Sequence, residues 1–270
     1  MVLEALINPL QAERKPWETF LAGFLYSTLA IIFSLMLFRE HSSMVMIGLT
    51  TMVSVPLIYG AIKLEEKKDL KIKKEMLLFK EHGRVMVFFM FLFFGYVLSF
   101  TTWYVILPDS TTKLLFDAQI GTIAAVNSPA TGSMINLTSS VGKIFLNNIK
   151  VLAFCLIFAF LYGFGSIFIL TWNASVLATV IGSLIKESTG SYLFAPIILL
   201  KYALHGIPEI AAYFLAGLAG GIISIAVIRH DLGTKQFKHV LVDSLDLTVL
   251  SIIMLLAAAL IEVFVSPLIF

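Results

Sequence analysis

Residues 210–228 read IAAYFLAGLAGGIISIAVI, a run without a single charged side chain. As a helix rising 1.5 Å per residue it is about 28 Å long, close to the roughly 30 Å of hydrocarbon in a bilayer. Five more segments share this character: Thr19–Phe38, Met44–Ile62, Val85–Leu107, Val151–Trp172 and Leu245–Phe264. The chain is 59% hydrophobic and 13% charged, with a mean hydropathy of +0.96. Soluble domains run at about 45–50% apolar and about 25% charged, so water is not the main solvent here. Backbone groups inside hydrocarbon must be satisfied within their own segment. The fold class that follows is an all-α, polytopic integral membrane bundle. The first span begins after a polar stretch, Gln11–Glu18, and is longer than the core of a signal peptide, so it is expected to stay as an anchor.

Charge sets the orientation. Basic residues stand at 63, 67, 68, 71, 73, 74, 80 and 84, interleaved with five acids, between the second and third spans. The positive-inside rule places this run, Lys63–Arg84, in the cytoplasm. Arg14 and Lys15 before the first span, and Arg229, Lys235 and Lys238 before the last, join it there. The N-terminus is then cytoplasmic, and the turn Arg39–Ser43 and the segment Pro108–Asn147 are extracytoplasmic. Within that segment Leu114–Val126 reads as a short helix lying on the membrane, and Asn136-Leu137-Thr138 matches a glycosylation acceptor.

Parity tests the remaining stretch, Asn173–His205, which must cross an odd number of times. Its apolar residues form two short pieces, Ala174–Ile185 and Tyr192–Leu204, parted by Lys186-Glu187-Ser188-Thr189-Gly190. The expectation is one short or broken helix, about seven crossings in all, and an extracytoplasmic C-terminus. The chain reads as one membrane domain over 1–270. Its parts are three spans in 1–107 with the basic loop 63–84, an extracytoplasmic loop 108–147, and a helical bundle 148–270.

Polar groups at membrane depth are costly and point to function. His205-Gly206-Ile207-Pro208-Glu209 precedes the charge-free run. One reading makes it a plain helix start: proline suits the first turn, an acid complements the positive end of the helix dipole, and His205 sits near the N-cap. The other places His205 and Glu209 in a cavity, relaying protons or holding a cation, with Asn173, Lys186, Glu187 and Lys201 as the nearest polar partners in sequence. Gly217 and Gly221 form a GxxxG pair, with Ala216 and Gly220 a second small pair; this spacing lets helix backbones approach closely. Ala178 and Gly182 repeat it, which makes their helix the expected partner. Asn147 and Asn148 suit a cap on the fourth span and Asn173 a left-handed turn after it. The single cysteine, Cys155, lies in an apolar run and reads as a small buried hydrophobe.

The lysines of the basic run, Lys67, Lys68, Lys71, Lys73 and Lys74, form a candidate cytoplasmic contact for anionic lipid or protein. The plainer reading is a solvated pair of helix extensions. Zinc-protease, Walker, nucleophile-elbow and dinucleotide motifs are absent from the sequence. The expectation is a protein that is not an enzyme and has no metal or cofactor. Its partners would be the lipid bilayer and either other proteins or further copies of itself, with no nucleic acid.

From 147 to 221 the chain resembles the stage II sporulation protein M family. The residues that carry the likeness are Asn147-Asn148-Ile149-Lys150-Val151, Tyr162-Gly163-Phe164-Gly165, Asn173, His205-Gly206-x-x-Glu209, and Ala216-Gly217 with Gly220. The family's namesake anchors two peptidoglycan-degrading partners, so the resemblance implies a scaffold and not a hydrolase. The two extra N-terminal spans and the lysine-rich loop are closer to archaeal members, for which the engulfment role does not carry over. The alternative is a channel or secondary transporter using His205 and Glu209 beside broken helices.

Overall fold

A computed structural model describes residues 15–70, 75–127, 137–162, 165–187, 195–229 and 233–269, and among these there is no strand. The helices are α1 Pro16–Leu37, α2 Ser42–Asp69, α3 Glu75–Ile106, α4 Asp109–Leu115, α5 Asp117–Asn127, α6 Leu137–Tyr162, α7 Ser166–Glu187, α8 Ala195–Ile228 and α9 Lys235–Leu260, followed by a π-helical turn Ile261–Val265 and α10 Ser266–Ile269. Seven are long and apolar enough to cross a membrane: α1, α2, α3, α6, α7, α8, and α9 with its π turn. The all-α membrane class and the number of spans therefore match the reading of the sequence.

Local chemistry explains the boundaries. Pro16 opens α1, where its missing N–H costs nothing. A 3₁₀ turn over Arg39–His41 reverses the chain into α2. Pro108 follows the end of α3 and serves as the N-cap position of α4, since the residue before a proline is driven out of helical geometry. Gly233 has φ of 81°, a conformation open chiefly to glycine. Beside it, Thr234 Oγ1 accepts the N–H of Phe237 at 3.1 Å and starts α9.

Helix α8 is the axis of the bundle, buried almost without interruption from Ile210 to Ala226. Lipid tails offer no hydrophobic gain for helix association, so close approach and polar contacts must hold the helices together. The tightest crossing is between α1 and α3, where Gly23 and Gly95 face each other. A Cβ on Gly95 would lie 2.9 Å from Phe24 N and 3.1 Å from Gly23 Cα. Hydrogen bonds flank that crossing: Thr19 Oγ1 to Phe88 O at 3.2 Å, Thr28 to Ser99 at 2.9 Å, and Trp103 Nε1 to Thr28 at 3.3 Å. The rings of Phe89 and Phe214 stack at 5.3 Å and join α3 to α8.

Several expectations are corrected. The fourth span does not run from Val151 to Trp172: α6 ends at Tyr162 and α7 begins at Ser166. Gly165 sits in the intervening turn against the carbonyl of Phe158, where a side chain would not fit. Asn173 consequently lies inside α7 and ends nothing; its Nδ2 donates to the carbonyl of Ile169 at 2.7 Å. The stretch 173–205 is not a short or broken crossing. Its first piece belongs to a continuous α7, and its second, from Ala195, is the opening of α8. Segment 108–147, where it is described, is helical over α4, α5 and the first turns of α6. Asn147 and Asn148 thus lie within α6 and do not cap it. Helix α5 lies with one face against the bundle: Gln119 and the preceding Phe116 are fully buried, while Asp117, Gly121 and Ala124 are exposed. Gln119 accepts from Ser43 at 2.9 Å and donates to Ser175 at 3.1 Å, so it is satisfied where water is scarce. Asn136 lies outside the described residues.

Candidate functional site

The bundle has two chemically distinct ends and one polar group between them. At the first end α2 and α3 continue as a helical hairpin. Glu65, on the last turns of α2, is fully buried and lies between two bases: Lys68 Nζ at 2.5 Å and His82 Nδ1 of α3 at 2.9 Å. Lys68 also reaches Glu81 at 3.3 Å, and Glu81 pairs with Arg84. Glu66, only 1% exposed, is met at 2.6 Å by Arg229 from the end of α8. A buried carboxylate needs such partners, because an uncompensated one is expensive. Where it is described, the run Lys63–Arg84 is a pair of helix extensions, as the plainer reading expected, but with a buried inner face. Glu65, Glu66 and His82 face inward, while Lys63 and Lys67 are exposed. Lys71, Lys73 and Lys74 lie outside the described residues.

At the opposite end Lys186 reaches from α7 to the start of α4. Its Nζ donates to Asp109 Oδ1 at 2.9 Å, to Leu107 O at 2.9 Å and to Thr112 Oγ1 at 3.2 Å, and lies 5.7 Å from the centre of the Tyr104 ring. Asp109 is open to solvent, and its hydrogen bond to Lys186, with the lysine's charge, holds its carboxyl below the usual carboxylate range.

Glu209 lies between these ends. Twenty residues separate it from Arg229, about 30 Å of helix, so it sits near the far edge of the hydrocarbon. It does not open a helix, since α8 begins at Ala195 and Pro208 is inside it. The proline removes one backbone bond of that helix. Tyr213, one turn on, donates to Glu209 Oε1 at 2.8 Å. Asn148 of α6, 7% exposed, and Glu262 of the π-helical turn are close enough to act on the carboxylate. His205 is half-buried one turn earlier on α8. The group is thus a carboxylate with a tyrosine bound to it and an asparagine beside it, near the far end of its span.

The predicted polar set therefore divides. His205 and Glu209 share one face of α8. Lys186 is committed to Asp109 and Leu107 instead, Glu187 is exposed at the end of α7, and Asn173 is bonded to its own helix. Among the described residues no group of three or more His, Cys, Asp or Glu is arranged to hold a metal ion. Residues that the sequence reading missed are Glu65, Glu66, His82 and Arg229 at the hairpin end, and Tyr213, Asn148 and Glu262 around Glu209. A signal existed for Glu65 and Glu66 alone, as adjacent acids in the turn that ends an apolar run.

The small residues of α8 act as anticipated, Gly217 against the expected helix α7 at its first turn and Gly220 against α6. A Cβ on Gly217 would lie 2.6 Å from Ser166 Oγ of α7, and one on Gly220 2.5 Å from Leu156 O of α6. Ala216 and Gly221 are buried beside them. Gly182 packs instead on Tyr104 of α3, where an added Cβ would lie 2.5 Å from the ring.

Comparison with known proteins adds one family and one relative. The family of Stage II sporulation protein M matches residues 84–267, which takes in everything from the hairpin end of α3 to the π-helical turn and leaves α1 and α2 outside. An uncharacterized protein of Methanocaldococcus jannaschii is 29% identical over 172 residues, covering 60% of this chain and 94% of that protein. No solved structure matches the chain.

Proposed function

The chain belongs to the stage II sporulation protein M family, and on that premise we propose that it works as a non-enzymatic scaffold that holds other proteins at the membrane. The observation that carries this reading is the hairpin of α2 and α3. Its inner face is fixed by Glu65, His82 and Lys68 and by the Glu66–Arg229 pair, while Lys63 and Lys67 point outward. A fixed helical projection with an exposed basic face suits a docking element for an acidic partner. By the positive-inside rule that face belongs to the cytoplasm, which puts the C-terminus on the other side after seven crossings.

The test is crosslinking and mass spectrometry of protein purified gently from native membranes. Neutralising Lys63 and Lys67 while keeping Lys68, whose loss would disturb Glu65, separates docking from folding. A defined partner recovered with wild type and lost from the double variant supports the scaffold. The same lone protein from both overturns docking at this face.

Glu209 favours a second reading, transport of protons or a cation, since a carboxylate at membrane depth is a functional feature by default. Glu209→Gln in liposomes decides it. Abolished ion flux supports transport; no flux from wild type removes it.

A further inference from the structure

Helices α6 and α9 both pack on α8 but splay apart from each other, leaving a groove of about 520 Å³ lined by Leu156, Ile157, Phe160, Gly220, Ile223 and Leu241, and by Ser244, Leu245 and Thr248 of α9. Its volume falls in the range of about 300–1,000 Å³ usual for ligand sites. The groove lies in the half of the membrane nearest the hairpin end, because α6 ends and α9 begins there. Gly220 sits against Leu156 O at its floor, so α6 and α8 are already in contact and cannot close it by sliding together.

Two polar features break its apolar lining. Ser244, 1% exposed, has its Oγ buried without a hydrogen-bond partner among the described residues, and its carbonyl accepts from Thr248 Oγ1 at 2.8 Å. A buried hydroxyl without a partner is unusual and marks a place for an acceptor from outside the chain. Lys238, exposed on the first turns of α9, lies three and seven residues before the lining residues Leu241 and Leu245, on the same side of the helix. Of the other charged or titratable groups on these turns, His239 and Asp243 pair at 3.4 Å on the far side, Lys235 and Asp246 are exposed away from the face that Leu241 and Leu245 share, and Arg229 is turned to Glu66. Lys238 and Ser244 are six residues, or about 9 Å, apart along the helix. That order, cation at the interface, hydroxyl donor below it and hydrocarbon-lined groove beside both, is the order of groups along an anionic phospholipid.

We propose that the groove between α6 and α9 is a specific site for an anionic membrane lipid, with its phosphate on Lys238, an oxygen of its glycerol region accepting from Ser244 Oγ, and its hydrocarbon tail along Leu241, Leu245 and Phe160. A basic residue at the edge of a crevice between spans is the means by which membrane proteins select charged head groups. A neutral lipid lacks the charge to compete for Lys238.

The full chain, reconstituted in vesicles of phosphatidylcholine carrying a small equal fraction of photoactivatable phosphatidylglycerol or photoactivatable phosphatidylcholine, tests the site by peptide mapping of the labelled protein. The expected result is several-fold more labelling by the anionic probe than the neutral one, concentrated on the peptides containing 156–160 and 241–248. Lys238→Gln should bring the two probes level while Lys238→Arg keeps the preference. Leu241→Trp, a change at an exposed position, should lower labelling there by both. Equal labelling by the two probes in wild type, or anionic labelling spread over all lipid-facing helices, overturns the proposal. So does a wild-type protein that crosslinks to a second copy through 241–248 with that surface shielded from lipid. Helix content by circular dichroism confirms that each variant is folded before it is scored.

Discussion

The two ends of the bundle use the same chemistry, a basic side chain reaching from one helix to an acid on another, in opposite surroundings. At the hairpin end the acids are hidden: Glu65 side-chain exposure is 0% and Glu66 1%. At the other end the acid is in the open, with Asp109 84% exposed beside Lys186. A surface ion pair adds little, because water solvates either partner alone nearly as well. A buried pair also adds little against an apolar replacement, but breaking it is severe, since the remaining charge cannot reach water. The hairpin end is thus held by a condition that both partners be present, and the Lys186 end by contacts that can be exchanged for solvent. That difference suits a rigid projection on one face and a more forgiving closure on the other.

The largest effect expected from breaking this contrast is at Arg229. Arg229→Gln strips the cation from Glu66 and should destabilise the protein by about 3 kcal/mol, read as a lower thermal midpoint in detergent. Adding Glu66→Gln removes the stranded charge and should recover roughly half of the loss, a coupling that a double-mutant cycle isolates. If the two substitutions simply add, the pair is not what holds α8 to α2. Glu65→Gln should come next, at about 1–2 kcal/mol, because a neutral amide can keep a hydrogen bond to His82 while Lys68 retains Glu81. The checking measurement is the same midpoint, and a loss larger than that of Arg229→Gln would reverse the ranking.

These particulars also show what could be read from the sequence. The spans were legible because hydropathy is a property of each segment by itself, and Ile210–Ile228 needs no neighbour to declare it. The turn at 163–165 was hidden because apolar residues run from Val151 to Trp172 on both sides of it and only glycines mark the break. Asn173 misled for the converse reason. It resembles a helix stop, yet its amide is satisfied by Ile169 of its own helix and so is tolerated mid-span. Gly217 and Gly220 were recognisable since glycines cluster on that stretch of one helix, whereas Gly23 and Gly95 lie on different helices, and their meeting is set by how α1 crosses α3. Burial of Glu65 and Glu66 depends on where α8 brings Arg229, which no local pattern around residue 65 encodes. Glu209 was found by its depth, but its partners Asn148 and Glu262 come from other helices.

At the forgiving end, Lys186→Met should cost about 1 kcal/mol. The loss comes from the carbonyl of Leu107 and the hydroxyl of Thr112 losing a donor, not from Asp109. Lys186→Arg, which keeps a donor of similar reach, should recover most of it in the same thermal assay. A loss equal to that of Arg229→Gln would abolish the distinction between the ends.

The smallest effect is expected at Asp109 itself, and acid is the sharpest way to see it. Lys186 holds the Asp109 carboxyl below its ordinary value of 3.8. The folded state therefore binds this proton less readily than the unfolded chain does. Whatever stability the pair supplies is fully present above about pH 4 and fades as pH falls through the lowered folded value. Solvent around Asp109 keeps that contribution slight, so Asp109→Asn should leave the thermal midpoint at pH 7 almost unchanged. The asparagine variant should also lose less than wild type when both are taken from pH 5 to pH 3, since it has no proton to gain at this position. An equal acid response in the two proteins would mean that the Lys186–Asp109 contact contributes nothing measurable. A variant clearly weakened at pH 7 would mean that the exposed pair anchors α4 more firmly than its surroundings allow, and the contrast between the two ends would fail there.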